Sequence, residues 1–137
     1  MLLGFKRRFA DFVEEGSKTH TIRKARVVAP RAGEICHCYV DPRQKTMRLL
    51  GRFPCVRVQE IEINWLAVKR RMSLIITIEG VDLSPDEANL LAYRDGFRTY
   101  GHEAGIALGE MQDYWHTLHG ANAFPFVGHL INWEFRR

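Results

Sequence analysis

Apolar and polar positions alternate with a period near two along most of this chain and switch to helical spacing in three places. Leu2-Leu3-Gly4 opens a first short strand. Phe5, Phe9, Phe12 and Val13 then recur at helical spacing, with Lys6, Arg7, Asp11 and Glu14 on the other face. This predicts a helix over 6–15, stopped by Gly16. Lys18–Lys24 alternates and is rich in β-branched residues, a strand pattern with Thr19, Thr21 and Arg23 on one face and His20 and Ile22 on the other. Glu34–Val40 is a second such run, between the turn signals Pro30–Gly33 and Asp41-Pro42-Arg43. Thr46–Ile63 is long and strand-like, and Gly51 and Pro54 predict a bulge, a bend or a division into two strands. Trp65–Ser73 is basic and reads as a loop or short helix, and Leu74–Ile78 as a compact strand.

Ser84-Pro85-Asp86-Glu87 carries three helix-start signals: a capping serine, a first-turn proline and a glutamate that completes a capping box. That helix is expected to run to about Asp95, with Gly96 as its stop. Gly101–Gly120 is a further helical region, irregular at first because Gly101, Gly105 and Gly109 fall in it. Phe124-Pro125-Phe126 is a turn, and Val127–Phe135 alternates as a final strand. Single strands do not alternate with helices, which argues against a doubly wound parallel sheet. The expected fold is α+β: a small, mostly antiparallel barrel with helices packed at its ends, as a single domain over 1–137.

Composition narrows this further. The chain has 137 residues, 46% hydrophobic and 11% aromatic, enough for a core and too apolar for a disordered tail. It has no run of 18 apolar residues, so no transmembrane helix is expected. The first fifteen residues lack the apolar stretch of a signal peptide, and a cytoplasmic location is the default. Net charge is +4, with Lys and Arg clustered at 6–8, 18–31, 43–52 and 69–71 and acids gathered at Asp82–Glu87 and beyond, an imbalance along the chain that favours an anionic partner such as RNA or a nucleotide.

Four constellations carry chemistry. Cys36-His37-Cys38 with Cys55 holds metal-ligand types, but on a strand the two cysteines share a face and His37 points away, without the usual ligand spacing. They read as buried thiols, and no metal or cofactor is expected. The six histidines are scattered, and only His116 and His119 have helical i, i+3 spacing, without an evident third ligand. Asp95 places a carboxylate at the negative end of a helix dipole, which breaks a local rule and marks it as a functional candidate. Finally, Lys18, Thr19, Thr21 and Arg23 arrive together at a helix-to-strand junction. A lysine beside hydroxyls suits anion binding, and a deprotonated lysine suits activation of a threonine nucleophile.

Phe9-x-x-Phe12-x-x-x-Gly16-Ser17-Lys18-Thr19-His20-Thr21-Ile22-Arg23 resembles the opening motif of the ASCH domain family, a relative of the PUA RNA-binding domain. Arg31–Glu34, Ala92–Phe97, Asp113-Tyr114-Trp115 and the closing strand are similar to later family segments in the same order. The resemblance implies a PUA-like β-barrel with helices bordering a cleft, and RNA or modified-nucleoside binding. One bacterial branch hydrolyses N4-acetylcytidine with a lysine, a threonine and a glutamate; these correspond to Lys18, Thr21 and, with a shorter arm, Asp95. Another member is described as a ribonuclease. As a binding module, the chain would hold phosphate with Lys18, Arg23 and Lys24 and stack a base on Trp65 or Trp115. That binding role is the expected function; the alternative, an amidohydrolase acting on an acetylated nucleoside, would use Lys18 as base, Thr21 as nucleophile and Asp95 as acid. The hydrolase role requires the strand to begin after Lys18, because Lys18 and Thr21 are three apart and would otherwise face opposite ways.

Overall fold

The structure, a computed structural model, describes residues 1–68, 71–101, 105–120 and 124–137. Its elements in chain order are β1 (Leu2–Phe5), α1 (Arg7–Glu15), β2 (His20–Lys24), β3 (Ile35–Val40), β4 (Arg48–Val68), β5 (Arg71–Ile78), β6 (Val81–Asp82), α2 (Pro85–Asp95), α3 (Ile106–His119) and β7 (Phe126–Trp133). The fold is α+β, with the strands in one mixed sheet. β1 lies parallel to β3, and the other described pairs are antiparallel.

β4 is the spine of this sheet. Arg48–Pro54 pairs with β3, Cys55–Ile63 with β7, and Ile61–Val68 with β5. The change of partner falls directly after Pro54, where the missing N–H interrupts a ladder anyway. The expected irregularity is therefore a partner switch within one long strand, with register shifts at Cys38/Tyr39 and Cys55/Arg57. The loop or short helix expected over Trp65–Ser73 is replaced by strand: β4 continues to Val68 and β5 starts at Arg71, eight residue pairs joining them. Cross-strand pairing, invisible in local pattern, overrides the weak alternation of this basic segment. Lys69 and Arg70 of the basic 69–71 cluster, the early part of the Gly101–Gly120 region at 102–104, and 121–123 lie outside the described residues.

The core forms from alternating positions of the sheet and one face of each helix. Leu3, Cys36, Cys38, Phe53, Ile61, Ile63, Ile76 and Ile131 are buried from the strands, and Val13, Ala92, Phe97 and Met111 from the helices and their ends. Burial pushes the Cys36 and Cys38 thiols up to about 12, so at neutral pH they are apolar filling and not thiolates. Adjacent Leu130 and Ile131 are both buried, so β7 is covered on both faces and not on the single alternating face read from Val127 to Phe135.

The sheet does not close into a barrel among the described residues. Closure would pair β1 with β2, and these strands share no ladder. A side chain bridges them instead: Arg23 Nη2 on β2 donates to the Gly4 carbonyl on β1 at 2.6 Å. A cavity of about 580 Å³ opens at this gap, lined from one side by Gly4, Phe5 and Lys6 and from the other by Thr21–Lys24. No helix among the described residues is long and apolar enough to cross a membrane.

Candidate functional site

Two helix stops set the site. α1 ends at Gly16 (φ 90°) and α2 at Gly96 (φ 117°), both left-handed, as the sequence predicts. Neither position has room for a side chain: a Cβ on Gly16 would lie 2.6 Å from the Phe135 ring, and one on Gly96 2.6 Å from the Phe9 ring. The chain after Gly16 turns tightly enough for the Lys18 N–H to donate to the Phe12 carbonyl at 2.9 Å. β2 then begins only at His20, so Lys18 is free of strand parity. α2 starts as predicted, with the Ser84 side chain and the Glu87 side chain each capping the other's backbone N–H.

Lys18 and Asp95 meet where these two stops face each other. The Lys18 ammonium donates to Asp95 Oδ1 at 2.5 Å and to the Asp95 carbonyl at 2.6 Å. Asp95 therefore tolerates its place at the helix C-terminus because a cation caps both its side chain and its orphan carbonyl. Arg98 completes the cap. It donates to the Tyr93 carbonyl at 2.9 Å, to the Ser17 carbonyl at 2.8 Å and to Ser17 Oγ at 2.9 Å, with its guanidinium over Phe12 and Tyr93. One side chain thus ties the turn after α1 to the end of α2.

The pair is almost dry. Lys18 is 3% exposed, Thr21 5%, and His20 and Asp95 6% each. The rings of Phe5 and Phe9 lie 5.9 and 5.3 Å from the Lys18 ammonium. Burial holds the Lys18 pKa below the ordinary lysine range even against the pull of Asp95, and Arg23 and Arg98 add to the lowering. Burial pushes the Asp95 carboxyl up, but Lys18 and His20 pull it further the other way, and it sits well below the usual carboxylate range. His20 Nε2 lies 3.2 Å from Asp95 Oδ1, close enough for charge attraction, yet it has no hydrogen-bond partner of acceptable geometry among the described residues.

Thr21 is held from the strand itself. Arg23, two residues on and on the same face, donates from Nε to Thr21 Oγ1 at 3.1 Å and to Gly4 with its other arm. Its guanidinium lies 4.9 Å from the Phe5 ring. Lys18, Thr21, Arg23, Lys24 and Asp95 all line the one cavity, together with Tyr114, Trp115 and His119 from α3. The charges of Lys18 and Arg23 already have internal partners. Lys24, expected beside them, is exposed at the rim with Lys6. Of the two tryptophans considered for stacking, Trp115 lines the cavity and Trp65 does not; Trp65 stacks on Phe124 at 5.3 Å and on His116 at 6.2 Å. His116 and His119 part company accordingly, His119 lying against Trp115. Among the described residues, no group of three or more His, Cys, Asp or Glu side chains is arranged to hold a metal ion.

Sequence reasoning missed His20, Arg98 and the Phe5–Phe9 ceiling. Strand parity sets His20 on the face away from Thr21, but Asp95 reaches it from α2, a tertiary contact without a local signal. The one cue for Arg98 was its place two residues past Gly96, where a basic group can serve the last carbonyls of a helix. Comparison with family models, with curated proteins and with solved structures finds no match.

Proposed function

We propose that this cavity binds a nucleoside-like ligand and hydrolyses an amide on it, as in the ASCH branch that deacetylates N4-acetylcytidine, on a PUA-like scaffold whose barrel is left open at the β1–β2 gap. The observation that carries the reading is the buried Lys18–Asp95 pair lining the same cavity as a threonine hydroxyl already held by Arg23. A lysine whose pKa is lowered by desolvation is suited to act as a base, and such perturbed groups in clefts concentrate at functional sites. Neutral Lys18 would take the Thr21 proton as Oγ1 attacks the amide carbonyl. The C–N bond then breaks, leaving the acyl group on Thr21, and the departing amine takes a proton. Asp95, expected from the resemblance to supply that proton, is held ionised, so the better donor is the Lys18 ammonium formed in the first step. Asp95 then orients Lys18, whose ammonium it holds at 2.5 Å. Water releases the acyl group to complete the cycle.

Turnover of N4-acetylcytidine to cytidine and acetate by the purified protein tests this, and absence of turnover rejects the substrate. A second reading, binding of RNA or a nucleotide without chemistry, is favoured by the exposed Lys6 and Lys24 at the rim and by Trp115 in the wall. It predicts salt-sensitive retention of RNA on filters together with no release of acetate; shortening of that RNA would instead indicate a ribonuclease.

A further inference from the structure

His20 belongs to the buried cluster but not to the cavity wall: its ring contacts Asp95 and is absent from the lining that any ligand would touch. The residue is 6% exposed, its Nε2 has no hydrogen-bond partner among the described residues, and Asp95 Oδ1 lies 3.2 Å from that nitrogen. Lys18 approaches the same oxygen. Two nitrogen bases thus flank one carboxylate oxygen in a dry environment.

We propose that His20 is a positioning residue of this site: its ring is a second proton site on the Asp95 carboxylate and lets Lys18 become neutral without leaving Asp95 as an uncompensated buried charge. The proposal rests on the reading of Lys18 as a base, and it resolves a difficulty in that reading. An ammonium paired this closely with a buried carboxylate resists losing its proton, because the carboxylate would then stand alone in low dielectric. A proton at His20 Nε2 replaces the lost partner. In the exchange, an N–H bond breaks at Lys18 Nζ and an N–H bond forms at His20 Nε2, with Asp95 Oδ1 passing the proton between them. The three groups carry zero net charge before and after, so no new charge is buried.

The neighbours leave the proton on this pair of bases. Arg23 from β2 and Arg98 beyond α2 oppose any additional positive charge at Lys18. Burial keeps the Cys38 thiol of β3 protonated, its pKa pushed up to about 12, and pushes the Tyr114 phenol of α3 up as well, so neither of these acids supplies the proton.

NMR of the ligand-free protein tests the exchange, reading the His20 ring through its nitrogen shifts and Lys18 through its ε-carbon shift. Lys18→Met removes the competing base. At pH 7 the His20 ring should move toward the doubly protonated form relative to the unmodified protein, and an unchanged ring would overturn the proposal. His20→Asn removes the second proton site. Lys18 should then keep its proton to higher pH, whereas an unchanged Lys18 titration would show that the ring is only filling space. If Lys18→Met does not fold, His20→Asn decides alone. Neither reading needs a substrate, so failure of the amide-hydrolysis reading shows separately, as absent turnover in a protein whose two bases are coupled.

Discussion

The Lys18 ammonium and the Asp95 carboxylate meet at 2.5 Å with almost no exposure to water, and this contact closes the end of α2 against the turn after α1. Its energetics are asymmetric. Removing one partner leaves an uncompensated charge, whereas removing both can leave a packed apolar site. Lys18→Met and Asp95→Leu are each expected to cost about 3–5 kcal/mol in urea unfolding, and the double variant Lys18→Met/Asp95→Leu distinctly less than the sum. Additive losses would show that the two groups are not energetically paired.

The same contact fixes the acid side of the stability profile. Asp95 is held well below its unfolded value of about 3.9, so its contribution is complete above that value and is lost as pH falls toward the folded pKa. Lys18 is displaced downward from an unfolded value of about 10.4, so the unfolded chain holds the extra proton and stability rises with pH between the folded value and that one. Urea midpoints measured across pH should show both slopes. Asp95→Asn should flatten the acid slope, and Lys18→Met the alkaline one.

Much of this frame is legible in the residues themselves. Ser84, Pro85 and Glu87 announce α2, Gly16 and Gly96 end two helices, and both glycines are enforced by local geometry and close rings. The requirement that β2 start after Lys18 is also met, because the turn at Gly16 spends the N–H groups of Gly16 and Lys18 on α1 carbonyls. What escaped is what depends on distant partners. Trp65–Val68 and Arg71–Ser73 are strand only because β4 and β5 pair there. The parallel β1–β3 pairing, and with it the open β1–β2 gap that holds the cavity, comes from where the chain returns and not from a pattern in Leu2–Phe5. The internal partners of Lys18 and Arg23, namely Asp95, Thr21 and Gly4, likewise have no local signal in the sequence beyond the Thr21–Arg23 spacing.

Arg98 should matter beyond its charge. It joins the Ser17 and Tyr93 carbonyls with a planar fork stacked on Phe12, geometry that lysine does not reproduce. Arg98→Ala is expected to cost roughly 1.5–3 kcal/mol, the range for hydrogen bonds to a charged group, and Arg98→Lys to recover only a minor part of it. Thermal and urea unfolding of the two variants give the comparison, and full recovery by lysine would reduce Arg98 to a simple counter-charge.

In the proposed chemistry Thr21 is the nucleophile and Lys18 serves it. Thr21→Val keeps the shape of the side chain and removes only the hydroxyl that Arg23 holds. The deciding measurement is steady-state release of acetate from N4-acetylcytidine by the unmodified protein and by this variant. Turnover by the former, reduced at least about a hundredfold in the latter, is the predicted result. Equal turnover in both proteins, or none in the unmodified one, would contradict it.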